Sequence, residues 1–232
     1  MVDQGVKILI VDDERPIRRF LRASLVSHGH EVHEAETGIE ALEQAARVKP
    51  DLIILDLGLP DLDGVEVTRK LREWTTTPII ILSVREKEEE KITALEAGAD
   101  DYLTKPFGIG ELMARIKVAL RHTFPVDDHS IFQMGALKVD LAGHLVFLDG
   151  NSISLTPTEF QILRVLIWQN GKVVTQRQLL REVWGEAYTD ESHLLRVNIS
   201  NLRRKLEPEP TKPKYLLTEP GVGYRINIVL LG

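Results

Sequence analysis

The 232-residue chain contains no cysteine. This absence excludes disulfide bridges, thiolate zinc sites and cysteine nucleophiles, and it is compatible with the reducing cytoplasm, where we expect the protein to reside. Uninterrupted aliphatic runs are about four residues long, and the first residues lack a basic segment followed by an apolar stretch and a small-residue cleavage site. We therefore expect neither a signal peptide nor a membrane span.

A phosphate-binding loop of the form GxxxxGK[ST] is also missing, which argues against nucleotide hydrolysis. What the chain does contain is 43% apolar and 28% charged residues, so disorder is excluded as its main state. Because a domain usually has ~100–150 residues, the length predicts two domains that each bury a core of their own.

Charge is divided unevenly along the chain. Residues 1–122 carry 17 Lys and Arg against 23 Asp and Glu, whereas residues 123–232 carry 12 of each kind. Within residues 193–225 the balance turns positive, with seven basic residues against three acidic ones. The sequence therefore predicts acidic chemistry in the first half and a basic surface near the end.

The first half, residues 1–122, alternates short aliphatic runs with amphipathic stretches. This alternation is typical of a doubly wound α/β fold, a parallel sheet with helices on both faces. Five strands are predicted, at Lys7–Val11, Glu31–Ala35, Leu52–Asp56, Pro78–Ser83 and Asp100–Leu103. The first, third and fourth are apolar enough to be buried on both faces.

Polar side chains stand where these strands end. Asp12 and Asp13 follow the first strand, Asp56 and Ser83 end the third and fourth, and Lys105 follows the fifth. Since functional groups of open α/β sheets gather at the carboxyl ends of the strands, we expect these five side chains to converge. Any one of the aspartates could still be an ordinary loop or cap residue.

Three clustered carboxylates repel one another unless a cation joins them, and oxygen ligands favour Mg²⁺. A phosphoryl group beside such an ion would also meet the hydroxyl of Ser83 and the charge of Lys105. Asp56 is the best candidate for a nucleophile, because it ends the most hydrophobic strand, which would hold its carboxylate rigidly.

Three motifs carry a family resemblance over this half: VDDE (11–14), LDLGLPD (55–61) and AGADDYLTKPF (97–107). They are similar to the receiver domain of two-component response regulators. The resemblance implies that Asp56 accepts phosphate from the phosphohistidine of a sensor histidine kinase. It also implies that Asp12, Asp13 and the backbone carbonyl of Gly58 organise Mg²⁺ together with Asp56.

The same resemblance assigns further roles near the site. Ser83 and Lys105 would bind phosphoryl oxygens, and the peptide bond before Pro106 would be cis. Tyr102 stands at the family's aromatic switch position, where the ring is expected to turn inward as the Ser83 hydroxyl moves toward the phosphate. Simple half-buried packing is the alternative for Tyr102.

The second half begins after a segment without apolar periodicity. We place a linker at 123–130, between a first domain at 1–122 and a second at 131–232, because HTFPVDDHS contains a proline and no regular pattern. Short strands broken by glycine turns follow and predict a small antiparallel sheet. Thr156, Pro157 and Glu159 then form the signature of a helix start with a capping box.

A later helix, predicted from about Glu191 to Leu206, can be resolved face by face. Leu195, Ile199, Leu202 and Leu206 form an apolar stripe, which must pack inward. Geometry places a mixed polar face opposite this stripe and two arginines on its flank. That face suits a DNA major groove, although an ordinary surface helix could look similar. The face comprises His193, Val197, Ser200, Asn201 and Arg204, with Arg196 and Arg203 beside it.

A basic hairpin follows this helix. With LTPTEF (155–160), ISNLRRKLE (199–207) and TEPGVGYR (218–225), the second half resembles the winged-helix effector domains of OmpR/PhoB-type regulators. The resemblance implies that the late helix enters the major groove of double-stranded promoter DNA and that residues 185–190 touch RNA polymerase. It also implies that the hairpin contacts the minor groove or the phosphates of the DNA. The hairpin candidates are Lys212, Thr218, Gly221, Gly223 and Arg225.

The family resemblance also implies a homodimer after phosphorylation, through the face of the fourth helix, fifth strand and fifth helix. By this resemblance Lys91 pairs with Glu111, and Asp101 with Arg115, across the dimer. A solvated surface of mixed charge is the alternative. The candidate residues are Lys91, Glu96, Asp100, Asp101, Glu111, Arg115 and Lys117.

A finer resemblance, to regulators of potassium-transport operons within this subfamily, rests on LDLGLPD, KPFGIGEL (105–112), SHLLR (192–196) and TEPGVGYR. Two other classes compete with a DNA-binding regulator. An aspartyl-phosphate hydrolase is disfavoured, because the haloacid-dehalogenase type places an acid two residues after its nucleophile, where this chain has Gly58. A phospho-regulated interaction module that binds no DNA stays open.

Overall fold

The computed structural model describes residues 5–84, 88–121 and 131–227. The chain divides into two compact units, Met1–Arg121 and His122–Gly232. Among the described residues, none of the helices combines the length and the apolar character that a membrane span requires. The predicted linker at 123–130 lies outside the described residues, so its boundaries stay a prediction.

In the part of the first unit that the structure describes, a parallel sheet of five strands, in the order β2-β1-β3-β4-β5, is flanked by five helices. This confirms the predicted doubly wound α/β fold. Its strands are β1 (Lys7–Val11), β2 (Glu31–Ala35), β3 (Leu52–Asp56), β4 (Ile79–Ser83) and β5 (Asp101–Thr104). Its helices are α1 (Arg15–Ser27), α2 (Gly38–Val48), α3 (Gly64–Arg72), α4 (Glu88–Glu96) and α5 (Ile109–Arg121).

The apolar strands form the centre of this unit. Every residue of β3 and β4 is buried, as are the last four residues of β1, because helices cover both faces of the sheet. The register places Val11 opposite Leu55 and Asp56 opposite Leu82. The carboxyl ends of β1, β3 and β4 therefore meet at one edge.

The turn from β3 into α3 brings two backbone segments together. A Cβ atom at Gly64 would lie 2.4 Å from the carbonyl oxygen of Asp56, so a larger residue would push this turn away from the strand end. Asp63 caps α3 by accepting a hydrogen bond from the backbone N–H of Val65. The start of α3 therefore packs tightly against the backbone at the end of β3, where Asp56 lies.

Within residues 131–227 the second unit has a four-stranded antiparallel sheet, three helices and a three-stranded sheet that contains the hairpin. This architecture confirms the predicted winged-helix domain. The elements are β6 (Ile131–Met134), β7 (Leu137–Asp140), β8 (Leu145–Leu148), β9 (Asn151–Ile153), α6 (Pro157–Trp168), β10 (Val174–Thr175), α7 (Gln176–Val183), a 3₁₀ turn (Glu186–Tyr188), α8 (Ser192–Leu206), β11 (Leu216–Glu219) and β12 (Gly223–Ile226).

The start of α6 has the predicted capping box. The hydroxyl of Thr156 accepts a hydrogen bond from the Glu159 N–H, and the Glu159 carboxylate accepts one from the Thr156 N–H. Both side chains are buried, so the two bonds satisfy polar groups that would otherwise lack partners at a helix start. The cap fixes the start of α6, one of the two helices against which α8 packs.

Candidate functional site

Three carboxylates lie together at the carboxyl edge of the parallel sheet. Asp12, Asp13 and Asp56 each offer an oxygen atom, and these atoms lie within 4.8 Å of one another. Asp12 and Asp56 are buried, whereas Asp13 is exposed. A donor set of carboxylate oxygens, open to solvent on one side, suits a hard divalent cation that keeps some of its water.

Lys105 lies among these acids. Its Nζ is 2.8 Å from Oδ2 of Asp12, 3.2 Å from Oδ1 of Asp56 and 3.7 Å from Oε1 of Glu14. The Lys105–Pro106 peptide bond is cis, as predicted. The side chain is buried, so a positive charge is fixed beside two of the carboxylates.

The charges of the cluster change one another's protonation. Burial raises the pKa of Asp56, and the charge of Asp12 raises it further, while Lys105 partly opposes both effects. For Lys105, burial alone would lower the pKa, but the hydrogen bond to Asp12 and the charge of Asp56 outweigh it and raise the pKa. Additional positive charge nearby would therefore stabilise the ionised form of Asp56, and a bound cation would supply such a charge.

Ser83 ends β4 and is buried, directly opposite Thr104 of β5 in the register. It stands one strand away from Asp56, which ends β3. The strands thus bring the hydroxyl residue and the acidic cluster to the same edge of the sheet, as the sequence predicted.

The α4-β5-α5 surface contains Tyr102, which is 6% exposed. The Nζ atom of Lys91 lies 5.7 Å from the centroid of its ring, a cation–π distance. The ring is therefore already inside, next to a charged residue of α4. This position fits both predicted roles of Tyr102, the switch and simple packing.

Two of the predicted dimer residues are not surface groups. Asp100 is 3% exposed and Asp101 is 4% exposed. Asp100 accepts hydrogen bonds from Arg72 and from the backbone N–H of Ile79, which removes it from the surface. The prediction that Asp100 lies on an exposed face is therefore wrong, because the ion pair with Arg72 and the bond from Ile79 hold its carboxylate inward, just before β5.

Arg115 makes its ion pairs inside the chain. It binds Asp101 at 2.8 Å and Glu111, one helical turn away, also at 2.8 Å. The expected Asp101–Arg115 contact is therefore present within one copy. Glu96, Glu111 and Lys117 are exposed on the same surface and remain candidates for a contact between copies.

Helix α8 is enclosed more fully than its apolar stripe indicates. Val197 is 7% and Asn201 is 8% exposed, so the prediction that both lie on an open face is wrong. The reason is that α8 packs against both α6 and α7 and is also tied to β11, so its neighbours cover more than one side. Solvent reaches His193, Ser200 and Arg204 of the predicted face, and also the flanking Arg196 and Arg203.

Arg203 joins α8 to the hairpin. Its guanidinium donates two hydrogen bonds to the carbonyl oxygen of Leu216 and one, of 2.8 Å, to Oγ1 of Thr218. On the next strand Arg225 pairs with Glu219 at 2.6 Å. Arg203 thus contacts the β11 strand of the hairpin at Leu216 and Thr218, and Arg225 joins β12 to Glu219 of β11.

The hairpin and α8 border a groove of about 490 Å³, lined by Arg203, Lys212, Thr218 and Arg225 among others. Lys212 is exposed and pairs with Glu209 at 3.1 Å. At Gly223 a Cβ atom would lie 1.9 Å from the carbonyl oxygen of Val174, so this position is closed to side chains by the neighbouring strand. A basic, open groove of this kind suits a polyanion.

The segment 185–190, which is expected to contact RNA polymerase, is held in place by a buried tyrosine. Glu186–Tyr188 forms a 3₁₀ turn, and Tyr188 is buried. Gly185, which precedes the turn, has a φ of 104°, a conformation that favours glycine. The turn is thus anchored by one buried ring.

Two family models match the chain. The response regulator receiver domain matches residues 8–117, and the C-terminal domain of transcriptional regulatory proteins matches residues 150–226. The KDP operon transcriptional regulatory protein KdpE of Escherichia coli K12 is 52% identical over 222 residues, which cover 95% of this chain and 99% of the relative. The chain belongs to the OmpR/PhoB-type response regulators. Such proteins are DNA-binding transcription regulators rather than enzymes.

Other relatives agree with this assignment. KdpE of Mycobacterium tuberculosis H37Rv is 48% identical over 222 residues, covering 95% of this chain and 98% of the relative. A solved structure of a RitR mutant has a TM-score of 0.79 and 31% identity, and covers 96% of this chain and 99% of that one. The structure of DrrB, a Thermotoga maritima OmpR/PhoB homologue, has a TM-score of 0.52, 33% identity and the same coverage.

This OmpR/PhoB-type chain has two buried ionic residues that sequence reasoning missed. Arg18 is 4% exposed and donates to the backbone carbonyls of Asp12 and Asp13. Glu207, 6% exposed, accepts from the backbone N–H groups of residues 214–216 and so closes the loop between α8 and β11. The signal for Arg18 was its spacing from Leu21 and Leu25, which places it on the buried stripe of α1.

Proposed function

We propose that Asp56 is the phosphate acceptor of this regulator and that a sensor histidine kinase is the donor. The observation that carries the proposal is the buried Asp56 carboxylate, 3.2 Å from Nζ of Lys105 and within reach of the same cation as Asp12 and Asp13. Asp12, Asp13 and Asp56 would hold Mg²⁺, with the backbone carbonyl of Gly58 as a further ligand. A bound Mg²⁺ supplies positive charge to carboxylates and phosphoryl oxygens alike.

The transfer is a substitution at phosphorus. A carboxylate oxygen of Asp56 attacks the phosphorus of the phosphohistidine, the P–N bond breaks, and the released imidazole nitrogen takes a proton. The product is an acyl phosphate on Asp56 and a neutral histidine on the kinase. Lys105, which contacts both Asp12 and Asp56 in the structure, donates a hydrogen bond to one phosphoryl oxygen after the transfer. The hydroxyl of Ser83 donates a hydrogen bond to another.

Phosphorylation adds ~1.5–2 negative charges to an already acidic edge of the sheet. The loops that hold Ser83 and Lys105 are drawn toward this charge, and Tyr102 transmits the movement to the α4-β5-α5 surface. A homodimer then forms through that surface. This surface carries both signs of charge, on Lys91, Glu111 and the Asp101–Arg115 pair. In the dimer, the ion pair between Asp101 and Arg115 of one copy is replaced by ion pairs between the two copies.

The dimer binds promoter DNA through α8 and the hairpin. Arg196, Ser200 and Arg204 line the exposed side of α8 and enter the major groove, with His193 at its start. Lys212 and Arg225 neutralise phosphates, and Thr218, Gly221 and Gly223 allow the hairpin to approach the backbone. Arg203 contributes by fixing the hairpin against α8. The turn at residues 185–190 contacts RNA polymerase.

The regulated operon is of the kdp type, a potassium-transport operon. The support is the KDP operon regulator named among the relatives, at 52% identity over nearly the full length of both chains. Gene regulation places the protein in the cytoplasm, where the sensor kinase presents its phosphohistidine. Ser200, on the exposed side of α8, lies outside the motifs that resemble potassium-operon regulators, so those motifs do not define the operator sequence.

Fluorescence anisotropy with a labelled duplex from the promoter of a potassium-transport operon tests this function. Acetyl phosphate with MgCl₂ should raise the affinity of the wild type by about tenfold, the effect of roughly 1.4 kcal/mol of dimer contacts. Asp56→Ala should not respond to acetyl phosphate. The control Glu66→Gln, a change of a partly exposed side chain on α3, should respond as the wild type does.

Two outcomes would contradict the proposal. A response of Asp56→Ala equal to that of the wild type removes Asp56 as the acceptor. Absence of salt-dependent binding to any duplex identifies instead a phospho-regulated interaction module, since contacts to DNA phosphates always weaken with salt.

A further inference from the structure

Arg18 is a buried cation behind the acidic loop. Its side chain is 4% exposed and lies on the inward stripe of α1 with Leu21 and Leu25, which are fully buried. A buried guanidinium is costly unless hydrogen bonds and opposite charges compensate it. The partners of Arg18 therefore indicate what the residue does for the molecule.

Those partners are on two separate segments. Nη1 donates to the carbonyl oxygens of Asp12 at 2.7 Å and Asp13 at 3.0 Å. On the other side of the guanidinium, Nε donates to Glu34 at 3.4 Å and Nη2 donates to Glu36. One planar group thus joins the β1–α1 loop to the end of β2.

The loop needs such a restraint, because its two carboxylates repel each other and the carboxylate of Asp56. Fixing the carbonyls of Asp12 and Asp13 fixes the backbone from which both side chains extend. Two further bonds support Asp12: its N–H donates to the carbonyl of Ala35 at 3.2 Å, and its Oδ1 accepts from the N–H of Glu14 at 2.9 Å. The ligand atoms are therefore held together before a cation arrives.

We propose that Arg18 is a positioning residue for the cation site, and that Glu34 and Glu36 hold Arg18 in place. The proposal rests on the metal site of the proposed function. Its physical basis is preorganisation: a ligand set that is already ordered loses less conformational freedom when the ion binds. Groups that orient metal ligands in this way typically contribute about 10- to 100-fold in metal affinity.

The shape of arginine matters as much as its charge. Lysine carries the same charge, but its single ammonium lacks the planar fork that reaches two carbonyls on one side and two carboxylates on the other. Arg18→Lys should therefore behave almost like Arg18→Gln. If Arg18 acted only through its charge, the lysine variant would retain the behaviour of the wild type.

The experiment is a calorimetric titration of the full chain with MgCl₂ in the absence of any phosphate donor. We expect Arg18→Lys and Arg18→Gln to raise the dissociation constant for Mg²⁺ by about tenfold. The matched control is Arg22→Gln, one helical turn further along α1. Arg22 also pairs with Glu34 but bonds to the carbonyl of Val32 instead of the acidic loop, so its loss should leave the affinity within about twofold of the wild type.

A second readout separates positioning from general stability. At saturating MgCl₂ the variants should regain the wild-type rate of phosphorylation by acetyl phosphate, because only the ion's affinity is weakened. Melting temperatures in EDTA report any loss of fold. If both Arg18 variants fail to fold, Glu36→Gln provides the test, because Glu36 is exposed. This variant should still raise the Mg²⁺ dissociation constant by about two- to threefold.

The outcomes are distinct. Unchanged Mg²⁺ affinity in folded Arg18 variants, or in Glu36→Gln if they do not fold, overturns the positioning role. An affinity in Arg18→Lys equal to that of the wild type also overturns it, in favour of charge alone. If the wild type itself binds no Mg²⁺, the metal site of the proposed function fails, and that result is recognised before any variant is compared.

Discussion

The two units bury acidic residues for opposite purposes. In the first unit Asp12 and Asp56 are buried beside each other and beside Lys105, and the pKa of Asp56 is raised because burial and Asp12 disfavour its charge. In the second unit Glu207 is buried among backbone N–H groups, which satisfy a carboxylate without a nearby acid. The first arrangement leaves the charge of Asp56 disfavoured, whereas the second satisfies the carboxylate of Glu207 with backbone donors.

This difference means that removing the acid should have opposite effects on stability in the two units. A carboxylate with all its acceptor positions filled stabilises the fold, whereas a carboxylate kept for chemistry costs stability when the site is empty. Four substitutions test this contrast and the different contacts of two arginines in the second unit.

The largest effect is expected at Glu207. Glu207→Ala leaves the backbone N–H groups of residues 214–216 without their acceptor and should lower the free energy of unfolding by about 3 kcal/mol. Urea denaturation followed by the fluorescence of buried Trp184 measures it. The control Glu209→Ala removes an exposed partner of Lys212 and should change stability by about 0.5 kcal/mol or less. Equal losses in both variants would refute the structural role of Glu207.

A smaller effect separates the two neighbouring arginines of α8. Arg204 is exposed, so Arg204→Ala should weaken operator binding by about tenfold and reduce the slope of log affinity against log salt by about 1. Arg203→Ala should also weaken binding, because Thr218 and Leu216 lose their tie to α8, but the salt slope should stay unchanged.

Binding curves at several salt concentrations distinguish these outcomes. The same decrease in slope for both variants would mean that Arg203 contacts phosphate directly. An unchanged slope for Arg204→Ala would remove this side of α8 from the DNA interface.

The smallest effect is expected at Asp56 itself. In EDTA at neutral pH, Asp56→Asn should raise the melting temperature by roughly 2–5 °C, because the variant lacks a buried charge that Asp12 repels. The native pKa of Asp56 is raised above the unfolded value, so its ionisation costs stability as the pH rises through the native pKa. The advantage of the variant should therefore shrink as the pH falls through that pKa and vanish below the unfolded value. A constant advantage across this range would contradict the electrostatic explanation.

The sequence predicted the receiver site well because its signals are local. Each aliphatic run ends in a polar residue, and parallel strands bring those ends together, so Asp12, Asp56 and Lys105 could be placed at one edge before the fold was known. The cis peptide bond at Lys105–Pro106 was likewise predicted from the motif and is confirmed.

Other features depend on neighbours that are distant in sequence. Helical periodicity showed which side of α8 packs inward, but it could not show that further contacts bury Val197 and Asn201 as well. Asp100 looked like a surface acid because its partner Arg72 precedes it by 28 positions. Arg18 was missed because its acidic partners, Glu34 and Glu36, are 16 and 18 positions away, and because its bonds to Asp12 and Asp13 go to backbone carbonyls, which leave no signal in the residue types.

Intact-mass spectrometry of the full chain after incubation with acetyl phosphate and MgCl₂ tests the central claim most directly. We expect the wild type to gain the mass of one phosphoryl group, and Asp56→Ala to gain none under the same conditions. A wild type that never gains this mass, or an Asp56→Ala variant that gains it equally, would contradict Asp56 as the phosphate acceptor.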